Sequence, residues 1–454
     1  MFLLCLARYP EIFAGMMRGA VPTLIAAALL SSACATGGSV PDRTSVDAAL
    51  RARVSYGIRI NEADAMPPGV TIDDGLSSDE AVAVALWNNP AFQLTLADLG
   101  FARADLIEAR QLRNPVLSLL FPWGPKQFEA TLQLPIEAIW QRPKRIKAAT
   151  LDGEALAARL MSDGLGLIAQ ARTAYVDAGA AEARLRLARE SAELWGSLRR
   201  LADARLREGD ISDFEARAVR SEASMAEAVA LGAAGDRELA RLQLDAILGA
   251  TVPEGAALMP IDNLPVSSCE ALDTMMGDAL ASRPDVRAAE LAIEAAGARA
   301  GLEQSKIVNM IAVTLDANGE GQEGFEIGPG LGLDLPLNRN AGPRARAAAA
   351  VTQANLRYRL VQANVRAELR RGVARLVRAR EVLKVWDEQI IESLQIERQQ
   401  AEKAYAAGET PLYMMFDTGR RLVTARRARL DARVELLTAA IALDRAVGNR
   451  CAFR

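Results

Sequence analysis

The segment "ALWNNPAFQLTLADLGFARADLIEAR", residues 85–110, has a counterpart in "ALASRPDVRAAELAIEAAGARAGLEQSK", residues 279–306. Both begin with Ala-Leu, three further residues and a proline, and both continue as a long alanine-rich segment. Other landmarks recur in the same order at offsets of 194 to 201 residues: Pro90 and Pro284, Pro135 and Pro336, Gly209 and Gly408, Gly249 and Gly448. The chain is therefore predicted to hold two copies of one unit, residues 76–262 and 263–450, followed by a tail at 451–454.

Each copy is predicted to contain, in order, a helix, a β-hairpin and a very long helical hairpin. The first helices are expected over about residues 78–112 and 270–306. In the hairpin at about 114–137, "FEATLQLPIE" alternates apolar and polar residues, as a strand with one apolar face does. The hairpin at about 310–337 contains "NMIAVTLDA" and "FEIGPGLGLDLPL", which alternate in the same way.

Long proline-free stretches follow each hairpin and indicate long helices. Residues 143–209 would form one helix of roughly 100 Å. The turn at 209–212 ends this helix at a glycine, and Ser212 and Glu215 then have the spacing of a capping box. The turn at 408–411, "GETP", is predicted to have the same arrangement: Gly408 ends one helix, Thr410 caps the next and Pro411 is its first residue.

The composition excludes several classes of function. The 454 residues are 50% hydrophobic but only 5% aromatic, and their net charge is −3. This balance suits long helices packed through small side chains and gives no reason to expect nucleic acid as a partner. The chain has no histidine, the commonest general base and metal ligand. "GPGLGLDLP" lies in a strand-like run without the helix start that a phosphate-binding loop needs. We therefore expect no enzymatic activity, no cofactor and no bound metal.

The N-terminus is predicted to be a signal peptide, residues 1–33, of which residues 1–16 are consistent with an over-called start. The sequence "LSSA" before Cys34 resembles a lipobox, the cleavage site of bacterial lipoproteins. The resemblance implies that Cys34 is acylated and begins a lipid-anchored segment, residues 34–75. An ordinary signal peptide cut nearby is the alternative. Cys269 and Cys451 are far apart in sequence and are expected to be unpaired, with a disulfide as the alternative.

The two hairpins are too few strands to close a barrel in one chain. Strands with one apolar and one polar face, in an exported protein, suit a barrel that meets lipid outside and water inside. Three copies would supply twelve strands, and their helices would continue as a tube. The predicted fold is therefore mainly α with a small β part, with long antiparallel helices in a periplasmic α-barrel. The two hairpins of each protomer would join a trimeric twelve-stranded outer-membrane β-barrel.

The twofold repeat, the "NNP" and "SRP" helix starts, the "LPL…RN.G" junction and the glycine-marked turns resemble the outer membrane efflux protein (TolC) family. This resemblance covers nearly everything after about residue 70. It implies a homotrimeric channel in the outer membrane that docks with a periplasmic adaptor and an inner-membrane pump. The segment "GLGLDLPLNRNAG" together with the lipobox is similar to the sequences of members that serve resistance-nodulation-division pumps, including those that export heavy-metal cations.

The resemblance also implies roles for residues at the two turns. The adaptor-docking tip would comprise Gly209, Asp210, Ser212, Gly408, Glu409, Thr410 and Pro411. Tyr405 and Glu215 would form a hydrogen-bonded latch that holds the tip closed, and Asp417 would form an acidic ring in the lumen. This sequence departs from some members at Met414, where they have another acid, and at Thr410, where they have a latch arginine.

Three other interpretations are weaker. "YMMF", residues 413–416, offers thioether ligands for Cu(I), but core packing explains two adjacent methionines equally well. A lipid-anchored periplasmic coiled-coil scaffold explains the helices and leaves the two matching hairpins unexplained. An anchored envelope hydrolase would need a nucleophile and base that the sequence does not indicate.

Overall fold

The computed structural model describes residues 39–54, 56–60, 66–70, 75–121, 123, 128–253, 256–266, 272–306, 311–319, 325–333 and 337–448. The described chain divides into two compact units. Among the described residues, one unit contains Arg103–Thr150 and Ala298–Arg344, and the other contains Pro41–Ala102, Leu151–Gly297 and residues 345–448. No helix in these described ranges is long and apolar enough to cross a membrane.

The elements follow one another twice in a similar order. They are α1 (Arg43–Val54), α2 (Ser78–Asn88), α3 (Pro90–Arg110), β1 (Val116–Leu120), β2 (Phe128–Pro135), α4 (Glu137–Glu208), α5 (Asp213–Leu248), a 3₁₀ turn (Ile261–Asn263), α6 (Leu272–Ser282), α7 (Pro284–Ser305), β3 (Ile311–Gly319), β4 (Phe325–Leu333), α8 (Ala341–Val385), a π-helical segment (Trp386–Ile391), α9 (Glu392–Ala406) and α10 (Leu412–Val447). The prediction of a mainly helical chain with a small antiparallel β part is confirmed.

The strands of the first unit form one antiparallel sheet in the order β1-β2-β3-β4. The hairpin of the first repeat therefore pairs with the hairpin of the second through β2 and β3. In this register Leu132 lies opposite Leu315, and Thr131 lies opposite Asp316. Side chains directly opposite each other share a face, so most apolar positions of the strands form one face. The polar positions form the other, together with Val116 and Leu120 of β1. Within the described chain, β1 and β4 each pair along one edge only.

Each opening helix is two helices rather than the single helix predicted. The break falls at Asn89 in the first repeat and at Arg283 in the second, the residue before the proline that begins α3 or α7. Proline lacks the N–H that would continue the helix and disfavours helical backbone at the residue before it. The sequence showed both prolines, and the prediction of one continuous helix gave them too little weight.

The residues at these two breaks make related contacts. Asn89 Nδ2 donates to the carbonyl of Ile247 at 2.8 Å, and Arg283 Nη1 donates to the carbonyl of Ala446 at 3.0 Å. Each carbonyl lies two residues before the left-handed glycine that ends the last helix of its repeat. Both repeats are thus closed by a side chain at the same position.

The long helices differ between the repeats. Helix α4 is one helix of 72 residues that begins before Pro143 and includes it. Its counterpart in the second repeat is interrupted by the six-residue π-helical segment Trp386–Ile391. Asp387 in this segment accepts a hydrogen bond from Arg429 of α10 at 2.5 Å. No proline or glycine marks this interruption in the sequence.

Leucine and alanine side chains form most of the core of the second unit. One buried cluster joins α1, α2 and α3 to α4, α5 and α10, and another joins α6, α7, α8 and α10. Tyr175 of α4 is fully buried; its hydroxyl donates to the Leu76 carbonyl at 2.6 Å and accepts from the Met259 amide at 2.8 Å. These two bonds fasten the segment before α2 and the connection between the repeats to the same helix.

Candidate functional site

The turns at 209–212 and 408–411 are built in the same way. Gly209 and Gly408 have left-handed backbone, with φ of +79° and +77°. In both turns the amide after the glycine donates to a carbonyl five residues earlier, at 2.9 Å. This arrangement satisfies the last carbonyls of the preceding helix. Asp210 and Glu409 are exposed, and a Cβ added at either glycine would meet no atom within 4 Å.

The helices after the two turns begin differently. The capping box at the start of α5 is confirmed, because the Ser212 hydroxyl accepts from the Glu215 amide at 3.2 Å while the Glu215 carboxylate accepts from the Ser212 amide at 2.8 Å. The prediction that Thr410 caps α10 is wrong. Pro411 occupies the N-cap position, and the buried Thr410 hydroxyl has no hydrogen-bond partner among the described residues. An N-cap residue has extended backbone, which proline adopts without strain.

Aromatic contacts join the two helical hairpins beside the turns. The Arg205 guanidinium carbon lies 5.3 Å from the centroid of the Tyr405 ring, a cation–π contact between the last turns of α4 and α9. The rings of Trp195 in α4 and Phe416 in α10 pack with centroids 5.6 Å apart. A buried cluster supports this packing: Trp195, Leu198, Ala202, Val219, Ala223 and Ala226. Arg205 was not among the predicted site residues; its only signal in the sequence is its place four residues before Gly209.

Tyr405 and Glu215, the two residues predicted to form the latch, lie near these turns. Within the described chain, the hydroxyl of the first has no hydrogen-bond partner, and the carboxylate of the second is bonded to Ser212. The Tyr405 hydroxyl is buried and has no hydrogen-bond partner among the described residues. The Glu215 carboxylate accepts from the Ser212 amide and hydroxyl, and these bonds lower the pKa of Glu215. A bond between Tyr405 and Glu215 would therefore compete with the capping box.

Asp417, assigned to the lumen ring, lies in the second turn of α10 and is half-buried. Arg420, one turn further along, donates to its carboxylate at 2.7 Å. This hydrogen bond and the Asp417 charge raise the pKa of Arg420. Any field from Asp417 is therefore partly balanced by Arg420, three residues further along the helix, a pairing that was not predicted from the sequence.

The side chains of the "YMMF" segment serve packing more than they provide metal ligands. Met415 and Phe416 lie against the buried cluster around Trp195, whereas Met414 is exposed. Across the described ranges, no group of three or more Cys, Asp or Glu side chains lies close enough to hold a metal ion.

The sheet forms a second candidate surface, and its polar face is acidic. The four strands contain Glu129, Asp316 and Glu326 and no basic residue. By the register these three side chains share the face that carries Thr131 and Asn318. Thr131 donates to the Asp316 carboxylate at 2.7 Å, which holds that carboxylate in place.

The opposite face of the sheet is apolar and accessible. Leu117 and Leu119 of β1, Leu315 of β3, and Ile327 and Leu331 of β4 are all exposed in the single chain. Phe121 and Trp123, just after β1, are exposed as well, the latter fully. A continuous exposed apolar surface of this kind calls for lipid or another protein to cover it.

The predicted signal peptide, Cys34, Cys269 and Cys451 lie outside the residues that the structure describes.

Comparisons with known proteins agree with this architecture. Residues 275–449 match the model of a family described as outer membrane efflux protein. The chain is 23% identical over 379 residues to the cobalt-zinc-cadmium resistance protein CzcC of Cupriavidus metallidurans, covering 82% of this chain and 90% of that protein. Crystal structures of CusC share the fold with a TM-score of 0.68 at 17% identity, covering 86% of this chain and 98% of that one.

A further solved structure, the open state of the MtrE outer membrane channel of Neisseria gonorrhoeae, has a TM-score of 0.68 at 18% identity. It covers 86% of this chain and 98% of that one. The family model matches most of the second repeat, and the shared fold extends through both repeats. Residues 275–449 therefore contain an outer membrane efflux protein domain, and the whole described chain shares the fold of the CusC and MtrE structures.

Proposed function

We propose that this chain is the outer-membrane channel of a tripartite efflux pump. It would pass small molecules or metal cations from a periplasmic adaptor and an inner-membrane pump, of the resistance-nodulation-division type, to the exterior. The protein would be a homotrimer in contact with outer-membrane lipid, with a long periplasmic part. Acylated Cys34 would add a lipid anchor.

The observation that carries the proposal is the two-faced sheet with open edges. Most of its apolar side chains share one face across all four strands, and its edge strands have unpaired backbone groups within the described chain. In lipid such groups must be hydrogen-bonded, which closing the sheet with strands of other copies would achieve. A soluble coiled-coil scaffold would have no use for an exposed apolar sheet face, so the channel is favoured over the scaffold.

The cargo is proposed from charge. The polar face of the sheet would line the lumen and would carry three acids per chain, Glu129, Asp316 and Glu326. Asp417 would add a ring at the periplasmic end, weakened by Arg420. Acidic rings favour cations over anions. The name of the relative CzcC refers to resistance to cobalt, zinc and cadmium, and metal cations are therefore the first candidates for export here as well.

We propose that the adaptor docks at the two turns 209–212 and 408–411, where a Cβ added at either glycine meets no other atom within 4 Å. Their exposed polar residues would contact the adaptor. Tyr405 would then exchange its contact with Arg205 for a bond to Glu215, or the reverse, as the tip opens and closes. The buried, unpaired hydroxyl of Tyr405 suits such an exchange, since pairing it would remove the cost of burying it alone.

A photoreactive amino acid at the turns tests the docking role in cells. It is best placed at Asp210 or Glu409, because a side chain at the neighbouring glycines would strain the left-handed backbone. Gly232 on α5 is the control position, since a Cβ there meets no atom within 4 Å and the site lies well away from the turn. We expect capture of a periplasmic adaptor from the turns and not from position 232. Capture of peptidoglycan alone, or equal capture at all three positions, would contradict the proposal.

A further inference from the structure

Basic residues gather where the first repeat enters and leaves the sheet. Residues 110–113 and 137–147 contain six basic side chains and a single acid, Glu137. The second repeat follows its hairpin in the same way, with Arg339, Arg344 and Arg346 and no acid in residues 337–346. Because the whole chain has a net charge of −3, this positive charge is a local feature.

Two of these arginines are fixed against the end of α3. Arg142 Nε donates to the carbonyl of Arg110 at 2.7 Å, and Arg145 Nη2 donates to the carbonyl of Gln111 at 3.1 Å. Each bond uses one of the five N–H groups of a guanidinium. Arg145 Nε is buried and has no hydrogen-bond partner among the described residues. The two guanidinium groups are therefore positioned while much of their bonding capacity is unused.

The acids nearby do not balance these charges. The buried Glu137 makes an ion pair with Arg113 at 3.8 Å, and neither of its carboxylate oxygens accepts a hydrogen bond within the described chain. Burial and the positive charges of Arg113 and Arg142 lower the pKa of Arg145, and Glu108 opposes this only in part. Surplus positive charge in a half-buried position favours the approach of an anion.

The same end of the second repeat is organised differently. There Lys306, at the end of α7, is paired with Glu303 at 2.6 Å, and Asn340 donates to the same carboxylate at 3.1 Å. These contacts lower the pKa of Glu303 despite its partial burial. Lys306 is thus balanced by a carboxylate, whereas Arg142 and Arg145 of the first repeat donate to backbone carbonyls instead.

Exposed apolar side chains lie beside the arginines. Ile139 and Trp140, in the first turn of α4, are exposed, and strand β2 ends a few residues earlier at Pro135. Tryptophan next to basic residues is typical of the boundary between membrane and water. A soluble phosphate would leave Ile139 and Trp140 uncovered, whereas a lipid presents a phosphate and hydrocarbon together.

We propose that Arg113, Arg142 and Arg145, with Trp140 beside them, bind the phosphate of a phospholipid headgroup at the rim of the membrane. Planar guanidinium groups match phosphate oxygens in pairs. The bonds from Arg142 and Arg145 to the Arg110 and Gln111 carbonyls fix these two guanidinium groups before the lipid arrives, which reduces the entropy lost on binding. This inference rests on the proposed membrane location of the sheet.

Native mass spectrometry of the purified full-length protein, titrated with phosphatidylglycerol in detergent, tests the site. The double variant Arg142→Gln/Arg145→Gln is expected to bind the lipid roughly 25-fold more weakly, and Arg113→Gln about fivefold more weakly, at about fivefold per arginine. Arg113 is largely exposed, so its variant keeps the test valid should the double variant fold poorly. The control is Arg186→Gln/Arg189→Gln, two exposed arginines further along α4, which should bind as the parent does.

Unchanged binding in the variants, or an equal loss in the control, would overturn the site. Inorganic phosphate that displaces the lipid at equal concentration would show a site for soluble anions instead and would overturn the lipid assignment. The titration needs no current through the protein. If the protein binds lipid as described but never conducts, only the proposed channel function is refuted. If the protein conducts and the arginine variants bind lipid as the parent does, only the proposed lipid site is refuted.

Discussion

Asn89 provides a direct test of how each repeat is closed. Its side chain is almost fully buried and makes two hydrogen bonds: Oδ1 accepts from the Phe92 amide at 2.9 Å, and Nδ2 donates to the Ile247 carbonyl at 2.8 Å. The first bond caps α3, and the second joins α3 to the end of α5. Asn89→Ala removes both.

The expected loss follows from these two bonds. Losing an N-cap costs about 1 kcal/mol. Leaving the half-buried Ile247 carbonyl without its donor costs roughly 1–3 kcal/mol. Asn89→Ala should therefore lower the free energy of unfolding by about 2–4 kcal/mol. In Asn89→Ser the hydroxyl still caps α3 but cannot reach Ile247, so this variant should recover about 1 kcal/mol of that loss.

Thermal unfolding of the full-length protein, followed by far-UV circular dichroism, is the assay, because the long helices dominate that signal. The midpoints should rank parent, Asn89→Ser and Asn89→Ala, with the alanine variant lowest by several degrees. An alanine variant that unfolds with the parent would refute the reasoning. A serine variant equal to the parent would show that the contact with Ile247 contributes nothing.

Three further predictions follow from individual residues. Because its capping bonds lower the pKa of Glu215, the stability that these bonds add is present above pH 4.5 and is lost as the pH falls through the lowered pKa. Hydrogen-exchange protection of the first turn of α5, corrected for intrinsic rates, should therefore fall in that pH window in the parent and be independent of pH in Glu215→Gln. A flat profile in the parent would contradict this prediction. Asp316→Asn should reduce the cation preference of the channel by roughly a third, since it removes one of three acids per chain on the polar face; reversal potentials in a salt gradient measure this, and an unchanged potential would count against a lumenal face. Gly408→Ala should lower the free energy of unfolding by about 1–2 kcal/mol, for left-handed backbone alone. Gly249→Ala should lower it clearly more, because the new Cβ would lie 2.5 Å from the Asn88 carbonyl oxygen. Equal thermal midpoints for the two variants would show that the clash is relieved.

The sequence predicted those features that depend on local chemistry. Alternation in "FEATLQLPIE" identified β2, and its apolar and polar positions do lie on opposite faces of the sheet. Glycine followed by a capping residue identified the turn after α4, where Gly209 has left-handed backbone and Ser212 caps α5. In each case a few neighbouring residues determine the backbone, so a single sequence is sufficient.

Features that depend on distant residues could not be predicted in the same way. The pairing of β2 with β3 joins residues about 185 positions apart, and alternation does not say which strand is the neighbour. The contact between Arg205 and Tyr405 requires two helices to end at the same level, which no local pattern encodes. The π-helical segment Trp386–Ile391 has no proline or glycine, and its ion pair with Arg429 appears only once α8 and α10 are packed together. The cap at Pro411 was misplaced by one residue because threonine is the stronger local signal.

The most direct test of the central claim is the current that the purified full-length protein carries across a planar lipid bilayer. We expect discrete conductance steps that prefer cations, from assemblies that stay in the membrane after the acyl anchor is removed. A protein that is folded and leaves the membrane with its anchor, and that carries no current, would contradict the channel and favour the coiled-coil scaffold.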